Sequence, residues 1–107
     1  MIAELLTEAG LTFRHIRFLK PPAETYAVWD DDIETDGADG EPSGIFEHNY
    51  TVELYEPTPD NAAEAAMESA LAVRGIHYRK EDRYWLQDSQ RYQVVYEFST
   101  TTKESES

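Results

Sequence analysis

The sequence contains no cysteine and few basic residues, and both absences exclude classes of function. Without cysteine there are no disulfides, no thiolate chemistry and no Cys-based zinc site. Nine Lys and Arg against 22 Asp and Glu give a formal net charge of −13. Because affinity for nucleic acid depends on phosphate neutralisation, sequence-specific nucleic-acid binding is disfavoured. Proteins that let DNA pass without holding it, that imitate DNA, or that need only solubility stay open.

Long apolar runs are also missing, and none approaches the length that spans a membrane. The first residues, MIAELLTEAG, are acidic where a signal peptide needs basic residues. We therefore expect a soluble cytoplasmic protein that makes no membrane contact. A length of 107 residues suits one domain, predicted over residues 1–99, with a disordered C-terminal tail over residues 100–107.

Apolar periodicity predicts two helices and several strands. In order, these are a helix over 2–9, strands over 11–19, 25–30 and 45–56, a helix with Thr58 as N-cap that ends at Gly75, and one to three strands after it. Residues 76–88 fit either one strand or a pair that turns near Glu81. The predicted fold class is α+β: a mostly antiparallel sheet of four to five strands, with a short N-terminal helix and one main helix packed on it.

The stretch Asp30–Gly44, DDDIETDGADGEPSG, is predicted to be a long acidic hairpin loop. Its start resembles an EF-hand calcium loop, but three requirements fail. Ser43 stands where the bidentate Glu belongs, Asp39 occupies a position that is usually apolar, and both flanks are predicted strands rather than helices. A specific calcium site is therefore disfavoured.

No other pattern indicates catalysis. His15, His48 and His77 lie in three separate segments, which disfavours a zinc site. The sequence has no Gly-rich phosphate loop and no serine nucleophile elbow, and no carboxylate lies in an apolar context that would raise its pKa. The prediction is a non-enzymatic protein with no catalytic, cofactor-binding or metal-binding residues.

The charges themselves form the candidate site. The acidic hairpin loop is predicted to contact a neighbouring subunit or another partner through Asp30, Asp31, Asp32, Glu34, Asp36, Asp39 and Glu41. Candidate basic residues of a subunit interface are Arg14, Arg17, Arg79, Lys80, Arg83 and Arg91. An acidic loop on one copy and a basic patch on another suit head-to-tail association. The alternative is that opposite charges simply intersperse on a solvated surface.

Across residues 1–99 the sequence resembles the tail-completion, or head–tail joining, proteins of long-tailed bacteriophages and prophages. The resemblance lies in the Gly that ends the first helix, in KPPAETYAVW at the second strand, in HNYTVELYEPTPD before the main helix, and in the closing segment RGIHYRKEDRYWLQDSQRYQVVYEF. It implies a tail-terminator-like structural protein without enzymatic activity.

The resemblance also implies partners and a location. The partners are other copies of the chain in a ring, generally of six, the tail-tube protein and the head–tail connector. The location is the host bacterial cytoplasm during assembly and then the tail or neck of the virion. One alternative is an acidic DNA mimic that inhibits a basic host protein. Another is a small metal-dependent enzyme or sensor, which predicts a large melting shift with a divalent ion.

Overall fold

The computed structural model describes residues 2–35 and 45–103. The elements are α1 (Ile2–Glu8), β1 (Thr12–His15), β2 (Tyr26–Thr35), β3 (Ile45–Glu56), α2 (Asn61–Val73), β4 (Tyr78–Lys80), β5 (Tyr84–Leu86) and β6 (Arg91–Lys103). The described strands form one sheet in the order β1-β2-β3-β6-β4, and β5 also pairs with β6. Only the β1–β2 pair is parallel among these strands.

The predicted α+β class, with a mostly antiparallel sheet and a short N-terminal helix, is confirmed. The described sheet has six strands rather than four to five. The difference comes from the segment between α2 and β6, which contains two short strands that both pair with β6. Neither described helix is long and apolar enough to cross a lipid bilayer.

Both helices end as predicted, at a glycine in the left-handed conformation. Gly10 has φ +76° and Gly75 has φ +67°. In α1 the N–H groups of Gly10 and Leu11 donate to Thr7 O and Leu6 O at 2.9 and 3.1 Å. The same pair of hydrogen bonds closes α2 at Gly75. This is the Schellman arrangement, which satisfies the last carbonyls of a helix and requires a positive φ that glycine adopts without strain.

The start of α2 differs from the prediction, because Asp60 rather than Thr58 is the N-cap. Asp60 Oδ1 accepts from the N–H of Ala63 at 3.0 Å, and Oδ2 accepts from the Thr25 hydroxyl at 2.6 Å. The N–H of Asp60 donates to Glu56 Oε1 at 3.2 Å. Asp60 caps better than threonine here because the same side chain also anchors the helix start beside β2.

The first strand is shorter than predicted. It ends at His15 instead of residue 19, because Ile16 has φ +74° and turns the chain away from the sheet. The connection 16–25 then crosses part of the sheet face opposite the helices. There Phe18 meets Tyr26 edge-on at 5.0 Å between ring centroids, and Arg91 Nη2 donates to Pro22 O at 2.7 Å. This cover buries Tyr26 and Val28.

Two long strands extend further than predicted. β2 runs to Thr35, five residues beyond the predicted strand, and pairs with β3 to the register position Thr35↔Phe46. β6 continues to Lys103, which pairs with Ile45, so residues 100–103 belong to the sheet and not to a disordered tail. Each extension follows the long β3 strand, because a backbone that pairs satisfies its hydrogen-bonding groups. Residues 36–44 and 104–107 lie outside the described residues.

The core lies between the two helices and one face of the sheet. The last strand alternates Tyr92, Val94, Tyr96 and Phe98, and the last three of these are buried. One side of α2 faces the core as well, where Met67, Ala70 and Leu71 are buried. The buried core cluster comprises Ile2, Leu5, Leu6, Ala27, Tyr50, Val52, Leu54, Met67, Ala70, Leu71, Val94, Tyr96 and Phe98.

Candidate interaction surfaces

The acidic residues predicted to form a loop divide between a strand and the part of the chain outside the described residues. Asp30, Asp31, Asp32 and Glu34 lie in β2, so the loop prediction is wrong for them. Successive strand residues face opposite sides of a sheet, so Asp30 and Asp32 share the face away from the helices and Asp31 lies on the helix side. Asp36, Asp39 and Glu41 lie outside the described residues. The predicted contact of this acidic stretch with a partner stays a prediction.

Asp31 and His48 form a hydrogen-bonded pair where the sheet extends past the helices. Asp31 Oδ2 lies 3.0 Å from His48 Nδ1, and the two side chains are only 15% and 18% exposed. The His48 ring stacks on Tyr50 at 5.7 Å. Burial, and secondarily the Asp31 charge, raise the pKa of the Tyr50 hydroxyl. This pair connects β2 to β3, which gives Asp31 a role within the subunit.

Lys80 and Arg83, predicted for a subunit interface, instead bind carboxylates of their own chain. Lys80 Nζ lies 2.9 Å from Glu64 Oε1 and 2.6 Å from Glu68 Oε2. Arg83 Nη2 lies 2.8 Å from Glu64 Oε2, and its Nε lies 3.5 Å from Glu56 Oε1. These ion pairs fasten β4 and the following turn to α2 and to the end of β3. Their positive charge is therefore already matched within the subunit.

The same cluster contains a carboxyl pair that contradicts one sequence-based expectation. Glu56 is fully buried, and Glu64 is nearly so. Burial, and then the neighbouring Glu64 carboxylate, raise the pKa of Glu56 to about 7. Burial opposes ionisation of Glu64 too, but hydrogen bonds from Glu56, Lys80 and Arg83 outweigh it and lower the Glu64 pKa. A protonated Glu56 that donates to ionised Glu64 explains both shifts.

A signal for this pair is present in the sequence. Glu56 continues the alternation of Val52 and Leu54, so period two alone places it on the buried face. Glu64 lies three residues before Met67, on the same side of α2. The spacing therefore indicates burial of both, although only the folded chain shows which cations compensate them.

The other two late basic residues are also engaged inside the subunit. Arg79 Nη2 forms an ion pair with Glu97 and lies 3.6 Å from Glu81 Oε2. Arg91, in addition to its bond to Pro22 O, lies over the Tyr26 ring at 5.6 Å. Together with Lys80 and Arg83, they form contacts that hold the fold. The prediction that they bind a neighbour is untested. Arg79, Lys80 and Arg83 are each paired with carboxylates, whereas Arg91 is held by a backbone carbonyl and an aromatic ring and forms no ion pair with the described residues.

Arg14 and Arg17 differ from Arg79, Lys80 and Arg83, which are paired with carboxylates. Neither forms an ion pair with any residue in 2–35 or 45–103, and the Arg14 guanidinium lies 5.6 Å from the Phe18 ring. They belong to residues 14–20, RHIRFLK, which we call the basic segment. Its apolar residues Ile16 and Leu19 are 59% and 85% exposed. Exposed apolar side chains among basic ones suit a partner that is acidic and partly apolar.

The described residues also contain no assembled metal site. Within residues 2–35 and 45–103, no three His, Cys, Asp or Glu side chains are arranged to hold a metal ion. His15 stacks on Trp29 at 4.1 Å, His48 binds Asp31, and His77 lines an open cleft of about 850 Å³ beside the end of α2. The three histidines thus occupy separate environments.

Comparison with known proteins adds no relative. The chain matches no protein-family model, and no curated protein shows a significant match to it. Any functional assignment therefore depends on the fold and on the two charged surfaces described above.

Proposed function

We propose that this protein is a non-enzymatic ring subunit that caps the tail tube and joins tail to head in a long-tailed bacteriophage or prophage. The observation that carries the proposal is the position of each sequence feature behind the family resemblance. Gly10 ends the first helix, KPPAETY leads into β2, HNYTVELYEPTPD forms β3 and the approach to α2, and the closing segment forms β4 to β6.

The sheet edges support assembly from identical subunits. β1 pairs only with residues 26–29 of β2, so the outer edge of Asp30–Thr35 pairs with no described strand. At the opposite edge, the pairing of β4 with β6 ends at Phe98, so the outer edge of Ser99–Lys103 pairs with no described strand. Unpaired edges bind other backbones readily. Two different edges on one chain favour head-to-tail contacts between copies. Such contacts close into a ring when the rotation from one subunit to the next divides a full turn evenly.

The charge also fits a channel through which DNA slides. A net charge of −13 repels phosphate, so DNA that passes such a ring is not held by it. The exposed carboxylates of Asp30 and Asp32 lie on a sheet face that the helices do not cover. Such a face presents negative charge to DNA that passes it.

The test is the mass of the protein in solution, measured by light scattering over a salt series and up to high protein concentration. We expect a discrete species near six subunits, either alone or on tail tubes purified from the phage or prophage that encodes the chain. Electron microscopy of the tubes should then show a ring at one end. A monomer that neither assembles nor binds tubes would contradict the proposal.

A second candidate is an acidic module that imitates DNA and occupies a basic host protein. The sheet face away from the helices favours it, because Asp30, Asp32, Glu53 and Glu97 all lie on that face by strand alternation and register. This candidate predicts tight, salt-sensitive binding to a host DNA-binding protein in competition with duplex DNA. If the protein binds such a host protein and stays monomeric when tail tubes are present, the DNA-mimic function is favoured over the ring-subunit function.

A further inference from the structure

We propose that the basic segment of one copy is the docking surface for the acidic strands of the next copy. The acidic strands are the paired ends of β2 and β3 that carry Asp32, Glu34 and Glu47, with Glu34 directly opposite Glu47 in the register. This inference rests on the proposed function in taking a second copy as the partner. Of the basic residues predicted for a subunit interface, we assign the docking role to those in the basic segment and not to the late group from Arg79 to Arg91.

The first argument is the division of the basic residues. Apart from Lys103, those outside the basic segment all bind groups of their own chain: Arg74, Arg79, Lys80, Arg83 and Arg91. Those inside it, Arg14, Arg17 and Lys20, form no ion pair with the described residues. In a chain with a net charge of −13, unmatched cations gathered in one segment form an evident site for external carboxylates.

The second argument is the apolar and strained character of the same segment. Ile16 has φ +74°, a conformation that a β-branched residue rarely adopts. Its N–H donates to Trp29 O at 2.8 Å, which fixes the turn, while its side chain remains mostly in solvent. Backbone strain that persists at an exposed position is typical of functional sites. Burial of Ile16 and Leu19 by a neighbour would add an apolar contribution to the electrostatic one.

The third argument identifies the occupant. No Lys or Arg occurs from Asp30 to Glu47, so no basic residue within that stretch compensates its carboxylates. Arg79 lines the same cleft as Asp32 but is already paired with Glu97. Within one copy, β2 runs away from the basic segment at about 3.3 Å per residue, which places Thr35 about 16 Å beyond Asp30. The basic segment meets β2 near Asp30, where His15 Nε2 lies 3.8 Å from Asp30 Oδ1, whereas the acidic strands lie beyond that point. Complementary surfaces at different places on one chain define a head-to-tail contact.

The experiment uses two charge-reversed variants of the full chain. The segment variant carries Arg14→Glu, Arg17→Glu and Lys20→Glu, and the hairpin variant carries Asp32→Lys, Glu34→Lys and Glu47→Lys. Each alone should associate at least 10-fold more weakly than the unmodified protein, because its two surfaces then have the same sign. An equal mixture should recover association, because each surface finds an opposite charge on the other variant. Recovery in the mixture cannot arise from misfolded chains.

Four outcomes would overturn the inference. If the segment variant forms the same rings as the unmodified chain, the docking surface is elsewhere while the proposed function stands. If it forms rings that no longer bind tail tubes, the occupant is the tube protein, and again the function stands. If the mixture associates no better than either variant, charge complementarity is wrong. An unmodified protein that stays monomeric with and without tubes would overturn the inference and the proposed function together.

Discussion

Oε2 of Glu64 in α2 lies 2.8 Å from Nη2 of Arg83, and Oε1 of the same carboxylate lies 2.9 Å from Nζ of Lys80. One buried side chain thus holds two cations that flank the turn between β4 and β5. Because the carboxylate is almost fully buried, its charge depends on these two cations for compensation. Each cation also contacts a second carboxylate, Glu68 for Lys80 and Glu56 for Arg83. The contacts of Glu64 with Lys80 and Arg83 explain how the two short strands β4 and β5 stay attached to α2.

We therefore predict that Glu64→Ala lowers the free energy of unfolding by about 2 to 4 kcal/mol. Urea denaturation at neutral pH measures this change. The matched control is Glu81→Ala, whose half-exposed carboxylate lies 3.6 Å from Arg79 and should cost less than about 0.5 kcal/mol. Equal effects of the two substitutions would show that the Glu64 cluster does not stabilise the fold.

Glu56 gives a prediction about pH. Its pKa of about 7 lies above the unfolded value of about 4.3, so the folded state binds the proton more tightly. The stability that this group contributes is fully present below about pH 4 and is lost as the pH rises through 7. The lowered pKa of Glu64 acts in the other direction, but only as the pH falls below the ordinary carboxyl range.

Glu56→Gln should thus be more stable than the unmodified protein at pH 8, by about 1 to 3 kcal/mol, and should differ little from it at pH 4.5. Glutamine keeps the acceptor for the N–H of Asp60 and mimics the protonated acid. Denaturation at both pH values, with Glu81→Gln as the exposed control, measures the difference. A Gln variant with the same pH dependence as the unmodified protein would show that Glu56 is not the titrating group.

The bond between Asp31 and His48 predicts a difference between neighbouring residues of β2. Asp31→Ala should cost about 1 to 2 kcal/mol, because it removes the hydrogen bond between Asp31 and the mostly buried His48 ring. Asp32→Ala, on the exposed face, should cost less than about 0.5 kcal/mol. Hydrogen exchange should become faster in residues 45–50 for Asp31→Ala only. Equal protection in the two variants would mean that the pair does not hold this end of the hairpin.

The end of α2 predicts a substitution pattern governed by φ. No atom lies within 4 Å of a Cβ built at Gly75, so a side chain meets only the strain of φ +67°. Gly75→Ala should lower stability by about 1 kcal/mol, whereas Gly75→Asn should cost distinctly less because Asn tolerates this conformation. Thermal melting of the two variants compares them. An alanine variant as stable as the asparagine variant would contradict the role assigned to φ.

Ile16 predicts a trade between stability and association. Ile16→Asn should stabilise the single subunit by about 0.5 to 1 kcal/mol, because Asn relieves the strain at positive φ and little apolar burial is lost. The same change should weaken self-association. The control Leu19→Asn removes a comparable exposed side chain and should weaken association without the gain in stability. A gain of stability in both variants would exclude strain at Ile16 as its source.

Much of the fold follows from local patterns in the sequence. The spacing of Leu5 and Leu6 before Gly10 fixes a short helix and its end, and the alternation of Val94, Tyr96 and Phe98 fixes the buried face of the last strand. These features depend on neighbours along the chain, so one sequence is enough to predict them. Boundaries set by partners, such as the end of β1 and the full length of β2, were predicted less well.

The α+β class, the inward faces of the helices and strands, and the strong negative charge follow from the sequence alone, because each depends on composition or on short periodic spacing. Which charges are matched depends on contacts between distant parts of the chain. Lys80 and Arg83 are 16 and 19 residues from Glu64 in sequence and meet it only when β4 packs beside α2. Arg14 and Arg17 meet no carboxylate in the described fold. The number of charged residues can be read from the sequence, whereas long-range packing determines which of them a partner can still bind.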